Sequence, residues 1–270
     1  MANALARMST RLLDLLVPKL RRIALMNLSF AFPELSRARH GEIVDGVFCS
    51  MARLLVALSR FPRINAGNVH DWIRYEGLEN YRDAKKGGRG VLVATAHFGN
   101  WELSAFAHAF MTEPMHVMVR PLDNPLIDDL VESRRTLSGN RLINKRTAAR
   151  AVVKALRDNE AVGMLIDQNT TPAEGVFVDF FGKCACASSA FVKLAYHSGA
   201  AVLPGFAVWD EGKKKYVLRF YRQILLTGDV AADTQAIHSA FEQAIREHPD
   251  QWLWIHRRWK TRPPGEPPLY

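Results

Sequence analysis

Long apolar runs are missing from this chain. No stretch reaches the roughly 18 apolar residues of a transmembrane helix. The longest candidate near the start, Leu12 to Val17, is broken by Asp14 and followed by Pro18 and a basic run. It also lacks the small-residue cleavage site of a signal peptide. The chain is therefore read as cytoplasmic or peripherally bound to a membrane. Cysteine is scarce as well. Cys49, Cys184 and Cys186 are too few for a disulfide scaffold, and a reducing compartment is the simplest reading. The C-x-C pair has no second pair at zinc-finger spacing. Gly87 to Gly90 is a glycine-rich turn without the G-x4-G-K-[ST] pattern of a phosphate loop, no G-x-G-x-x-G follows a strand, and no H-E-x-x-H occurs. His97, His108 and His116 lack metal-ligand spacing with a third ligand, so no metal is expected. There is no internal repeat and no low-complexity tract.

What is present is globular. The 270 residues suit one large domain, or one domain with a small appendage. Hydrophobic residues at 48% and charged residues at 23% exclude disorder and coiled coil for most of the chain. Lys+Arg number 36 against 27 Asp+Glu, so the formal charge of +9 favours an anionic partner. No recognisable nucleic-acid module accompanies that charge, which leaves an anionic membrane surface or an acidic substrate.

The first 30 residues interleave Arg7, Arg11, Lys19, Arg21 and Arg22 with leucines. This fits an amphipathic segment on an anionic surface, or equally a core-packing helix with a basic outer face. Val44, Val47, Met51, Leu54 and Leu58 then recur at 3,4,3,4 spacing, which predicts a helix over 39–60, stopped by Pro62. Residues 1–62 are accordingly set apart as an N-terminal helical, membrane-associating segment. Beyond them strands and helices alternate. Strands are expected at 90–96, 117–120, 141–143, 161–166, 176–180, 201–208 and 216–222. Helices are expected from Trp101, after the Asn124-Pro125 cap, from Thr147 to about Asn159, over 188–197 before Gly199, and over 234–248. This alternation predicts an α/β fold: a mixed, mostly parallel sheet with helices on both faces.

The most informative segment is His97-Phe98-Gly99-Asn100-Trp101-Glu102. It follows a buried strand and opens a helix, the place where ligands bind in open α/β sheets. Five positions apart on a continuous helix, His97 and Glu102 would diverge by about 140°. With Gly99 and Asn100 forming a turn, Glu102 can fold back toward the imidazole. A histidine–carboxylate pair without a Ser or Cys nucleophile suggests a base that activates a substrate hydroxyl. A turn histidine beside a dipole-favoured N-terminal glutamate is the structural alternative.

HFGNWE resembles the first motif of the lysophospholipid acyltransferase superfamily. More narrowly, the chain resembles the bacterial lipid A biosynthesis acyltransferase family. Four further blocks carry the likeness in order: Arg22 to Leu35; Val119-Arg120-Pro121 with Asn124-Pro125; Asp167-Gln168 with Val178 to Gly182; and Trp254 to Pro263. The resemblance implies a glycerolipid acyltransferase-like αβα sandwich over residues 63–270. It implies transfer of an acyl group from acyl carrier protein, or from coenzyme A, to a hydroxyl of a membrane glycolipid, foremost a lipid A precursor, with another lipid acceptor or a catalytically inactive lipid-binding protein as the alternatives. The acyl thioester is a co-substrate, and no cofactor is implied. The place of action would be the cytoplasmic face of the bacterial inner membrane.

By motif match His97 is the general base and Glu102 its orienting partner. Arg120 is assigned to acceptor phosphate or oxyanion, with a surface pair to Asp123 as the alternative. Asp167 would hold Arg120 or the acceptor, or serve a turn. Asn100, Asn124 and Gln168 complete the expected substrate-binding set, with Asn124 also suited to a helix cap. Family members usually carry a longer hydrophobic anchor ahead of the Arg22 block, so attachment here rests on the basic start and exposed apolar surface. Cys184 to Ser189 stands where the family carries a Pro/Thr/Gly-rich stretch, and this stretch is expected to shape the acyl pocket.

Overall fold

The computed structural model describes residues 2–144 and 148–270. Helix α1 spans Ala2–Leu16. Pro18, preset for a first helical position, opens α2 at Pro18–Ala31. Ser36 then caps α3, Arg37–Arg60, by accepting the Arg39 N–H at 3.2 Å. The body follows as β1 (Ile73–Glu76), α4 (Leu78–Lys85), β2 (Val91–Thr95), α5 (Trp101–Met111), β3 (His116–Val119), α6 (Pro125–Thr136), β4 (Arg141–Asn144), α7 (Ala148–Arg157), β5 (Ala161–Leu165), β6 (Gly175–Phe180), β7 (Lys183–Ser188), α8 (Ala190–Ser198), β8 (Ala201–Asp210), β9 (Lys215–Phe220) and α9 (Val230–Glu247).

Among the described residues, seven strands form one sheet in the order β1-β9-β8-β2-β5-β3-β4. β8 and β9 pair antiparallel, and the other neighbours run parallel. β6 and β7 form a separate antiparallel hairpin. The mostly parallel sheet with covered faces is the architecture expected from the alternation. β2 is central because its run is apolar on both sides: Val91, Leu92 and Ala94 are wholly buried.

The two faces carry separate cores. Val91, Val93, Leu103, Phe106 and Leu218 pack on the side of α4 and α5. Leu92, Ala94, Val152, Leu156, Phe191 and Phe241 pack on the side of α7, α8 and α9. Ala24 and Leu28 of α2, with Val44 and Val47 of α3, belong to the second of these cores. The N-terminal helices are thus continuous with the body. At its far end α3 turns Leu54, Leu55 and Leu58 toward the main cavity.

Two strands escape the sequence reading. Ile73–Glu76 has no apolar run because it is a sheet edge with one buried face. Lys183–Ser188 is built from small residues that fit beneath a buried arginine: Arg258 is fully buried, and its Nη1 donates to the Cys186 carbonyl at 2.7 Å. Of the stretch expected to shape the acyl pocket, Ser188 lines the cavity and the cysteines do not. The expected Thr147 cap lies outside the described residues.

Candidate active site

The register of β2 against β5 builds the centre. Thr95 and Leu165 end the paired run, and Ile166 N–H donates to the Thr95 carbonyl at 3.1 Å. His97 and Asp167 each lie two residues beyond this pair, so parallel pairing sets them side by side. The His97 backbone N–H donates to Asp167 Oδ2 at 3.0 Å, and His97 Nδ1–H donates to Oδ1 at 2.8 Å. Trp252 Nε1–H adds a third donor to Oδ2 at 2.8 Å. A carboxylate can only accept, so the imidazole proton sits on Nδ1 and the Nε2 lone pair is left for chemistry.

The electrostatics follow from burial and pairing. Asp167 is fully buried, which alone would favour its neutral form. The facing imidazole outweighs that, aided by His256 and the Trp252 indole, and holds Asp167 well below the usual carboxylate range. Burial likewise opposes charging of His97. The charge and hydrogen bond of Asp167, with a contribution from Glu102, overcome it despite Arg135, and His97 is raised above its ordinary value. Trp101 packs edge-on at 5.2 Å between ring centroids and fixes the imidazole plane.

Glu102 does not orient His97. Its carboxylate is clamped by Arg135, whose Nε donates to Oε2 at 2.8 Å and Nη2 to Oε1 at 2.6 Å. The reason is local. Asn100 caps α5 by accepting Leu103 N–H at 3.0 Å, so Glu102 already stands in the first turn, where α6 brings Arg135 to it. Arg135 is no solvated surface residue: its side chain is 16% exposed.

The HFGN turn itself is dictated by backbone contact. Gly99 has φ +61°, and a Cβ there would lie 2.0 Å from the Ala207 carbonyl oxygen. Gly99 N–H donates to Gln251 O, and Leu253 N–H to His97 O, both at 2.9 Å. The carboxyl-terminal block therefore serves as scaffold, with Trp252, Trp254 and Trp259 fully buried. Burial also pushes His256 down to about 4, so it is neutral at physiological pH.

The other expected site residues divide. His97, Glu102, Arg120 and Gln168 line one cavity of about 1700 Å³. Arg120 stands at its rim with its side chain 81% exposed, 3.9 Å from Asp123, so it is not held by Asp167. Asp167 lies behind His97 and off the cavity wall. Asn100 is fully buried as a cap. Asn124 is an exposed cap that accepts Leu126 N–H at 3.0 Å, away from the cavity lining. Its apolar lining includes Leu54, Leu58, Val93, Phe106, Met115, Val117 and Phe220. Sequence reasoning missed Arg135 and Trp252 as partners. The available signal for Asp167 was its place, two residues past a strand as His97 is.

A histidine–aspartate pair thus stands at the carboxyl end of a mostly parallel α/β sheet, with the histidine on the wall of a large cavity. Residues 2–261 match the family described as bacterial lipid A biosynthesis acyltransferase. The chain is 31% identical to the lipid A biosynthesis palmitoleoyltransferase of Escherichia coli (strain K12), over 97% of this chain and 87% of that one. It is 30% identical to the lipid A biosynthesis lauroyltransferase of the same strain, over 92% and 82%. A more distant relative, at 26% over 81% and 72%, is the phosphatidylinositol mannoside acyltransferase of Mycolicibacterium smegmatis (strain ATCC 700084 / mc(2)155). The chain belongs to the lipid A biosynthesis acyltransferase family and is an O-acyltransferase.

Proposed function

We propose that this acyltransferase moves a fatty acyl group from a thioester, on acyl carrier protein or coenzyme A, to a hydroxyl of a lipid A precursor at the cytoplasmic face of the inner membrane. The observation that carries this reading is the His97–Asp167 pair facing an apolar cavity of about 1700 Å³. A thioester is already activated, so the enzyme must deprotonate the alcohol and stabilise the tetrahedral oxyanion.

His97 Nε2 takes the hydroxyl proton as the oxygen attacks the thioester carbonyl. Asp167 stabilises the imidazolium that forms. The carbon–sulfur bond then breaks, the ester carbon–oxygen bond remains, and the imidazolium returns its proton to the leaving thiolate. Arg135 keeps Nη1 outside its clamp on Glu102 and lines the cavity, which suits it to the developing negative charge. No helix of the described residues is long and apolar enough to cross a membrane. Exposed Met8, Leu12, Leu15 and Leu16 among the arginines of α1 suit contact with an anionic membrane surface.

The test is incubation of the purified protein with lauroyl-acyl carrier protein and a lipid A precursor, read by mass spectrometry beside His97→Ala. An acylated lipid A precursor absent from the variant is the expected result. Product on a different lipid would change the acceptor, and product undiminished in the variant would remove His97 from its role.

A further inference from the structure

The exposed lining of the cavity divides into two parts of different chemistry. We infer that the basic one, the groove between α7 and α8, docks the acidic surface of a carrier protein that presents the acyl thioester. This rests on the acyl-transfer reading above.

The geometry begins with unequal strand pairing. β2 pairs with β5 as far as Thr95 and Leu165, whereas β3 pairs with β5 only at His116–Val162 and Val117–Gly163. Beyond that point β3 and β5 part. The cavity accordingly reaches both faces of the sheet, touching Val93 and Gly163 on one and Met164 and Ile166 on the other. One part carries exposed Leu55, Leu122 and Ile127 beside Arg120, an apolar surface with a charged edge that suits a lipid. The other part runs on between α7 and α8.

Arg150, Lys154 and Arg157 follow one another along α7, with Lys193 and His197 along α8, and all five are exposed cavity-lining residues. Each helix anchors itself by a different stripe, Val152 and Leu156 in α7 and Phe191 and Val192 in α8. The arginines and lysines therefore stand on the groove side and are not consumed by the core. Asp158, the acid lining this part, pairs with Lys154, so the unpaired charge of the groove comes from Arg150, Arg157 and Lys193. The basic residues extend over about 10 Å of α7 and a facing length of α8. A single phosphate would need one compact cluster. A footprint two helices wide matches the acidic surface of a protein, and it leaves the apolar part free for the lipid. The two substrates then approach His97 from different sides.

The test is the Arg150→Glu/Lys193→Glu variant, assayed with lauroyl-acyl carrier protein and the lipid acceptor varied separately. The KM for the carrier-bound donor is expected to rise about tenfold, because like charges across an interface mainly slow association. The KM for the acceptor and kcat at saturation stay unchanged. Added salt weakens donor use by the wild type and hardly affects the variant. Lys154→Glu/Arg157→Glu provides a second pair if the first lowers the urea midpoint. A raised acceptor KM with donor KM unchanged would overturn the proposal and give the groove to the lipid's phosphates. Unchanged values for both would remove docking altogether. Fluorescence anisotropy with labelled carrier protein, on the His97→Ala background, reads docking without turnover. Binding there, beside a wild type that transfers nothing, would refute the proposed reaction and not the groove.

Discussion

Replacing Asp167 with asparagine keeps the shape of the side chain and changes where its protons sit. In the native site Oδ1 accepts the His97 ring N–H at 2.8 Å, while Oδ2 accepts two donors, the His97 backbone N–H and the Trp252 indole, at 3.0 and 2.8 Å. An asparagine has one oxygen and one NH2 group. If the oxygen serves the two donors, the NH2 faces Nδ1, which must then carry a lone pair. The imidazole proton moves to Nε2 and the base is lost. Turning the amide over restores the tautomer but sets the NH2 against two buried donors. Each unpaired donor costs about 1–3 kcal/mol, so the wrong tautomer is favoured by roughly 2–6 kcal/mol. At about 1.4 kcal/mol per tenfold, kcat should fall by roughly 30- to 2 × 10⁴-fold, with the KM of either substrate little changed. Single-turnover transfer from a labelled thioester measures this directly. A variant whose rate stays within about threefold of wild type would refute the tautomer argument.

Other outcomes follow from the same geometry. Because Asp167 and Glu102 raise His97, kcat/KM should climb with pH and level off above the ordinary imidazole value of 6.5; a plateau already reached below that value would contradict the assignment. Burial pushes His238 and His256 down to about 4 and His108 to about 3, so between those values and 6.5 the unfolded chain binds more protons than the folded one. Stability should therefore fall as pH drops through that window, seen as a declining urea midpoint; a flat midpoint would show these histidines accessible to solvent. Gly99→Ala should cost more than about 2 kcal/mol and most of the activity, since its Cβ has no room beside Ala207 at positive φ; a thermal scan matching wild type would exclude that clash. Arg135→Ala should lower transfer by one to two orders of magnitude (about 10- to 100-fold) by leaving Glu102 uncompensated near His97. Adding Glu102→Gln should recover part of the loss, and simple additivity of the two losses would deny the coupling.

Much of this protein is written locally. The valine-rich run at 91–95, the Asn124-Pro125 cap, the apolar spacing in α3 and Gly199 after α8 all act through neighbours in sequence, and a local pattern suffices to place them. The same holds for Gly99 and Asn100, whose turn delivers His97 from the end of a buried strand. Five ordered sequence blocks also pointed to the family to which the chain belongs. What stayed hidden depends on which strands become neighbours. Glu102 is near His97 in sequence, yet its hydrogen bonds go to Arg135 on α6. Asp167 lies 70 residues from His97 and is its partner because β2 and β5 pair in register. Strand order is set by the burial of whole faces across the molecule, and no window of sequence contains that sum. The sequence by itself therefore determined the turn that carries His97 and the family to which the chain belongs. The tertiary structure decided which carboxylate holds His97, which arginine neutralises the other, and where β3 parts from β5 to open the cavity on both faces.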